Sequence, residues 1–393
     1  MIYADPEPVV ELARRVRAFI DEQVIPAEAE ATHPDGLPAP RLQALRAAAK
    51  GAGVYGPQLP VAYGGLGLNI AEMVPVFEAA GRSLLGPLVL NCAAPDEGNM
   101  HLLHLLGTPA QKERYLAPLA AGTVRSAFCM TEPAPGAGSD PMMIQTRAER
   151  RGDDWVINGR KWWSTGADGA AVYLVMARTD PDVSPRTGCT IFLVDADNPG
   201  AHMVRRVGGL QLHTPGGHCE MAFTDCVVPH SAVLGQVGMG YGHAQARLGP
   251  ARLTHCMRWT GVAQRALAVA AAYVQEREAF GQKLAAHQAM QWLLADSATE
   301  LHAGQLMVRH AAGLLLQGHR AQQETSMAKL YVAEMVNRVI DRAVQMCGGL
   351  GVSDLTPLAD FYREARAFRI YDGASEVHRM VIARRVLKEA GRL

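Results

Sequence analysis

Phe128-Cys129-Met130-Thr131-Glu132-Pro133 opens a segment that continues through Pro135-Gly136-Ala137-Gly138-Ser139-Asp140 and is answered further on by Lys161-Trp162-Trp163-Ser164-Thr165-Gly166. An apolar strand here ends in a hydroxyl and then a turn. That frees main-chain N–H groups and a Ser/Thr oxygen to hydrogen-bond a polar planar ring or a phosphate. A tryptophan opposite can cover the other face of such a ring. The two segments together read as the wall of a flavin pocket.

Outward from this stretch the hydrophobic period changes twice. Before it, in Val9 to Val24, Leu42 to Ala52, Ile70 to Gly81 and Pro109 to Ala121, apolar residues recur at three and four, which predicts helices. Between about 125 and 236 the runs shorten and become β-rich, as in Trp155-Val156-Ile157, Val172-Tyr173-Leu174-Val175, Thr190-Ile191-Phe192-Leu193-Val194 and Met221-Ala222-Phe223. Turn residues separate them, which predicts an antiparallel barrel or sandwich. From about 240 onward Ala/Leu/Met-rich helical stretches return, broken near Gly281, Gly318 and Gly348, and predict a helical bundle. The expected organisation is an α+β multidomain chain: a helical domain over 1–124, a β domain over 125–237 and a helical bundle over 238–393.

Composition narrows the function. A chain of 393 residues exceeds what one core usually organises. Lys plus Arg equals Asp plus Glu at 38 each, so no global charge draws the protein to nucleic acid or a membrane surface. No apolar run is long enough for a spanning helix. The start Met1-Ile2-Tyr3-Ala4-Asp5-Pro6 shows no secretory pattern. The 7 cysteines are scattered without a Cys-x-x-Cys pair. These features predict a soluble cytoplasmic protein with neither a disulfide framework nor a metal site.

Two motifs invite over-reading. Gly51-Ala52-Gly53-Val54-Tyr55-Gly56 matches a dinucleotide fingerprint, but an Ala/Arg-rich helix precedes it and Pro57-Gln58-Leu59-Pro60 follows. The fingerprint needs a strand before and a helix after, so a helix end and turn is expected instead. His101 and His104 are one turn apart but lack a third ligand, and read as helix-face histidines.

Six segments, in order, resemble the acyl-CoA dehydrogenase family. They are Ala62-Tyr63-Gly64-Gly65-Leu66-Gly67-Leu68, Thr131-Glu132-Pro133, Asn158-Gly159-Arg160-Lys161-Trp162-Trp163, Arg277-Glu278-Ala279-Phe280-Gly281 with His287-Gln288, Gln345-Met346-Cys347-Gly348-Gly349, and Tyr371-Asp372-Gly373. Asn91-Cys92-Ala93-Ala94-Pro95-Asp96-Glu97-Gly98-Asn99-Met100, Arg247-Leu248-Gly249-Pro250-Ala251-Arg252 and Asp372-Gly373-Ala374-Ser375-Glu376-Val377-His378 are similar to the subgroup that animals carry behind a kinase-like domain.

The resemblance implies non-covalent FAD and oxidation of an acyl-CoA thioester to the trans-2-enoyl-CoA. A base takes the proton beside the thioester while a hydride leaves the next carbon for flavin N5. By position the implied base is Asp372, where the family usually has glutamate. Aspartate is one methylene shorter, so the local chain must compensate; a helix-capping aspartate is the alternative for this residue. The position from which other family members supply the base is Ala251 here, after Gly249 and Pro250. Arg252 is the implied partner of base and substrate, and Glu376 reads as a carboxylate of a first helical turn.

For FAD, the resemblance assigns Thr131 and the Met130 backbone to the ring's polar edge and Trp163 and Thr165 to its face, with Thr165 near N5 and Phe128 also among the cofactor-binding residues. Ser139 is assigned to the pyrophosphate or CoA side, on a loop about two residues longer than the common family spacing. Arg277, Phe280, Gln288, Gln345, Gly348 and Gly349 match residues that the family supplies to a neighbouring subunit's FAD. A homo-oligomer, dimer or tetramer, is therefore implied, with electron-transferring flavoprotein as the electron acceptor. The alternatives carried by the same fold are a flavin oxidase or monooxygenase, of the nitroalkane-oxidase kind, and a non-catalytic flavoprotein scaffold.

Overall fold

A computed structural model describes residues 5–211 and 214–391. Helix Glu7–Phe19 turns Val9, Leu12, Val16 and Phe19 inward at the spacing of one helical face, and continues as a wider turn over Ile20–Val24. Helix Ala39–Gly51 ends where Gly53 takes a φ of +65°, so the Gly51–Gly56 stretch is a helix end followed by a turn. The helix expected from Ile70 starts at Met73 instead. Asn69 is the reason: its Oδ1 accepts from the Ala71 and Glu72 N–H groups at 3.0 and 3.1 Å, a local turn that competes with helix. Helix Asp96–Leu106 follows, and then a run of helical turns from Pro109 to Ala121 that begins on a Thr108/Gln111 capping box.

The middle of the chain is one curled seven-stranded sheet. Its strands are β1 (Ser126–Cys129), β2 (Arg147–Arg151), β3 (Asp154–Thr165), β4 (Val172–Arg178), β5 (Cys189–Asp195), β6 (Ala201–Arg206) and β7 (His218–Pro229). The order is β1-β4-β2-β3-β7-β6 with β5 also on β4. The pairings of β4 with β1 and β2 are parallel and the others antiparallel, a departure from the purely antiparallel pattern that short turns between runs suggest. Residues 172–177 are all buried because both faces of β4 are covered. Tyr173 and Val175 point into a core with Trp155, Phe192 and Phe223. Leu174 and Met176 point the other way, against Leu102, Leu103, Leu116 and Leu119 of the preceding helices.

Helices Gly240–Glu276, Gln288–Leu316, Gln322–Cys347 and Ser375–Glu389 form the closing bundle. Its core is continuous with that of the first helices: Val16 and Phe77 share a cluster with Val262, Val308, Val332 and Val336. Two glycines permit the approach. A Cβ on Gly261 would lie 2.0 Å from the Glu78 carbonyl oxygen, and one on Gly81 2.0 Å from that of Arg258. The long helix is thereby held against the first helices on one side and the bundle on the other.

Candidate active site

The ladder of β1 ends at Cys129, and Met130 and Thr131 leave the sheet half-buried. What holds them is the next residue. The Glu132 carboxylate accepts from the Gln145, Thr146 and Ala137 N–H groups at 2.6, 2.9 and 3.2 Å and from Lys161 Nζ at 2.8 Å. Lys161 also donates to the Met130 carbonyl at 3.1 Å. Burial pushes the Glu132 pKa up, but Lys161 and the N–H donors outweigh it and hold the carboxyl below its usual range. Burial pushes the Lys161 pKa down, and the Glu132 carboxylate beside it works against that shift.

Opposite, the β3–β7 register breaks between Lys161 and Ser164. Within this bulge Trp163 takes a φ of +55° and stays 43% exposed. A bulge re-aims a side chain, and a left-handed conformation at a bulky residue costs of order 1–3 kcal/mol, a kind of strain that concentrates at functional sites. The indole stands edge-on to Trp162 at 5.3 Å and to His218 at 6.0 Å. The Trp162 N–H donates to the Thr131 carbonyl at 2.8 Å, which ties the bulge to the strand end. Thr165 Oγ1 is 2.9 Å from His218 Nδ1, and burial lowers the pKa of that imidazole, leaving it neutral. Phe128 lies beneath the Arg247 guanidinium at 4.3 Å. Ser139 is exposed on its loop, away from any sheet ladder.

The second part of the site is the loop between helices Leu358–Arg366 and Ser375–Glu389. Asp372 sits in it at φ +53°, a left-handed conformation that aspartate tolerates better than most residues. Helix Ser375–Glu389 is capped by Ala374 without a side-chain bond, so Asp372 is not a helix cap, and Glu376 lies in the first turn. The loop is pinned from beneath. Arg252 Nε donates to the Asp372 carbonyl at 3.0 Å, and Lys329 Nζ to the Phe368 and Gly373 carbonyls at 2.7 and 2.8 Å. Trp259 Nε1 donates to the Tyr371 hydroxyl at 2.5 Å, and Ser375 Oγ to Glu334 at 2.9 Å. Burial pushes the Lys329 pKa down to about 8.

The Asp372 carboxylate meets His255, whose Nε2 is 3.2 Å from Oδ2. Burial pushes the Asp372 pKa up, but His255, Arg247 and Arg252 together hold it far below the usual carboxylate range. Burial pushes His255 the opposite way, with Arg258 adding to it, so the imidazole is the neutral partner of an ionised carboxylate at neutral pH. The buried Arg247 donates to Asn99 Oδ1 at 2.8 Å and to the Pro95 carbonyl at 3.2 Å, which joins this site to the 91–100 segment. Ala251 is 4% exposed and offers no competing carboxylate. Sequence reasoning missed His255, Arg247, Lys329 and His218. For His255 a signal existed: Arg252, His255 and Trp259 recur at three and four along one helix face, and each touches the Phe368–Gly373 loop.

A third set of residues lies at the protomer surface. Phe280 is 96% exposed at φ +54°, at the tip between Glu278–Ala279 and Gln282–Lys283. Arg277, Gln288, Gln345, Gly348 and Gly349 are exposed as well. A Cβ on Gly348 or Gly349 would meet nothing within 4 Å in this chain.

Three family models match in sequence: the acyl-CoA dehydrogenase N-terminal domain over residues 7–123, the middle domain over 127–226 and the C-terminal domain over 238–387. The chain belongs to the acyl-CoA dehydrogenase family. A Mycobacterium tuberculosis relative named "Probable acyl-CoA dehydrogenase FadE2" is 40% identical over 98% of this chain and 96% of its own length. Acyl-CoA dehydrogenase family member 11 of Gallus gallus is 37% identical over 95% of this chain but only 50% of its own, so this chain spans about half of that relative. Among solved structures, butyryl-CoA dehydrogenase from Megasphaera elsdenii superposes with a TM-score of 0.87 at 28% identity, covering 98% of this chain and 100% of that one. Within this acyl-CoA dehydrogenase fold, the Trp163 bulge belongs to the sheet, the Asp372 loop to the bundle, and Arg247 touches Phe128 at the end of the sheet. No helix among the described residues is long and apolar enough to cross a membrane.

Proposed function

We propose that the chain is an FAD-dependent acyl-CoA dehydrogenase in which Asp372 removes the proton beside the thioester of an acyl-CoA, giving the trans-2-enoyl-CoA. The observation that carries this reading is the Asp372 carboxylate: ionised, 18% exposed, and held by His255 on a loop pinned through its carbonyls. A base must be ionised and reachable before it can act. Its depressed pKa makes it a weak base in the open site. A bound acyl chain that excludes water strengthens it by removing solvation from the carboxylate.

The residues at the sheet fit FAD. An indole turned outward by a bulge offers a face for a flat ring, and the Met130–Thr131 main chain leaves the ladder beside it. FAD, when bound, supplies the two-electron oxidant that takes the hydride from the carbon next to the deprotonated one. Trp163, Thr165, Phe128, Met130 and Thr131 would hold the ring, with Ser139 towards the phosphate or CoA side.

A second copy of the chain completes the site in this reading. A strained, almost wholly exposed phenylalanine marks a contact surface. Arg277 with its planar fork suits a pyrophosphate, and the bare Gly348–Gly349 backbone permits close approach. Gln288 and Gln345 belong to the same exposed set. The assembly is a dimer or tetramer, domain limits follow 1–124, 125–237 and 238–393, and electron-transferring flavoprotein would be the electron acceptor. Fatty-acid β-oxidation in the cytoplasm is the setting this implies.

The test is the anaerobic visible spectrum of the FAD-replete protein as acyl-CoAs of increasing length are added. Bleaching by one length class is the expected result; no bleaching by any thioester refutes the dehydrogenase reading. Asp372→Asn should keep FAD and reduce it roughly 100-fold to 10,000-fold more slowly, and an unchanged rate removes Asp372 from the role of base.

A further inference from the structure

Aspartate at the base position leaves a problem of aim. Asp372 is shorter than the glutamate at the matching family position, and a displacement of about 1 Å at a reacting centre can cost roughly 100-fold in rate. Arg252 and Lys329 grip the backbone carbonyls of Asp372 and Gly373, and so place the main chain without choosing the carboxylate's rotation. The group that touches the carboxylate is His255. It approaches from helix Gly240–Glu276, one turn beyond Arg252, with Nε2 at 3.2 Å from Oδ2. The ring is itself immobilised: its side chain is 12% exposed and lies 4.9 Å from the Tyr371 ring and 6.1 Å from that of Phe368, both on the loop that carries Asp372.

We infer that His255 is the positioning residue for the base: its neutral imidazole donates Nε2–H to Asp372 Oδ2, fixes the carboxylate's rotation, and leaves Oδ1 as the oxygen that receives the substrate proton. The inference rests on the reading of Asp372 as base. His255 neither gains nor loses a proton in the reaction; the C–H bond breaks and the O–H bond forms at Asp372 alone. Such a bond does two things. It selects one carboxylate oxygen, and it stabilises the anion, which lowers its pKa. The charged and titratable groups facing the pair are Arg247, Arg252 and Arg258 from the same helix, Glu97 from Asp96–Leu106, Lys329 from Gln322–Cys347, and His378 from Ser375–Glu389. Burial pushes the His378 pKa down to about 4 and that of Lys329 down to about 8.

The experiment compares His255→Phe, which keeps a ring and removes the donor, with His255→Gln, whose amide N–H can still donate. FAD content and thermal midpoint establish that each is folded. Flavin bleaching is followed at pH 7 over a range of acyl-CoA concentrations. The Phe variant is expected to be slowed roughly 10-fold to 100-fold with little change in acyl-CoA Kd. The Gln variant, whose N–H still reaches the carboxylate, is expected to restore most of the rate. A Phe variant with the wild-type rate overturns the inference, as does equal loss in both variants, the mark of packing alone. A readout independent of turnover is the ring 15N spectrum of the substrate-free holoenzyme. The His255 signals, identified by their loss in His255→Gln, should show the neutral Nε2–H form at pH 7 and shift in Asp372→Asn. If no acyl-CoA bleaches the wild-type flavin, the dehydrogenase reading fails on its own, and the 15N spectrum still decides the contact: a His255 signal indifferent to Asp372→Asn overturns it.

Discussion

Replacing Lys161 by methionine should damage the flavin wall far more than the loss of one surface charge would. Lys161 and Glu132 have side-chain exposures of 0% and 2% and meet at 2.8 Å. A methionine fits the same volume but leaves the Glu132 carboxylate with only N–H donors, at Ala137, Gln145 and Thr146, and leaves the Met130 carbonyl without its 3.1 Å donor. Breaking a buried pair from one side costs about 3–5 kcal/mol, because an uncompensated charge stays inside. At roughly 2–4 °C per kcal/mol for domains of this order, the midpoint should fall by about 6–20 °C. The chain has several structural layers, so the appropriate observable is the temperature at which flavin fluorescence is released, with far-UV circular dichroism alongside. The damage should centre on the 130–146 loop, so flavin release should precede loss of helix. Glu132→Gln in the same background removes the stranded charge, and the double variant should be more stable than Lys161→Met alone. Because the pair depresses the Glu132 pKa, its contribution is present above the ordinary carboxylate value and is lost as pH falls through the lower folded value. The wild-type advantage over the double variant should therefore shrink in acid. A single variant within about 1 kcal/mol of wild type, or a double variant no better than the single, would refute the idea that an uncompensated buried charge governs this loop.

Phe280→Asp places a charge on a tip that is 96% exposed in the protomer; sedimentation should show smaller species with reduced FAD content, and an unchanged assembly would mean that the tip faces solvent. Glu78 is buried, one of its oxygens has no hydrogen-bond partner, and burial pushes its pKa up to about 7. A raised carboxylate pKa means that stability is full below the ordinary value and declines as pH rises through the folded one. Glu78→Gln should therefore gain on wild type between pH 5 and 8, by up to about 3 kcal/mol, and equal denaturation midpoints at both pH values would count against it. Asp372→Asn and the His255 variants, read by flavin bleaching, complete the set.

How much of the site was legible depends on whether a residue's role is local. Trp163 could be read as the cover of a flat ring from the Lys161–Gly166 run, yet its outward aim comes from the register slip against β7, which the run itself does not encode. Glu132 reads as part of a motif, and its work is to bind the 137–146 loop and Lys161. Asp372 was singled out in the sequence by position alone. Its companion His255 sits on a helix whose pattern announces only that it is apolar and long; the partner lies on a loop brought there by packing. Asn69 is the opposite case, a local turn-former that delays a helix within its own sequence neighbourhood.

The sequence by itself determined what depends on near neighbours: the change from helical to strand period and back, and the helix ends near Gly51, Gly281, Gly318 and Gly348. These follow from backbone propensity and from the periods at which side chains repeat, and both act over a few residues. The tertiary structure alone decided the parallel pairing of β4 with β1, the shared core of the first and last helices, and the meeting of His255, Arg252 and Arg247 around Asp372. Those depend on which apolar faces bury one another, and only packing brings such distant residues within hydrogen-bond range.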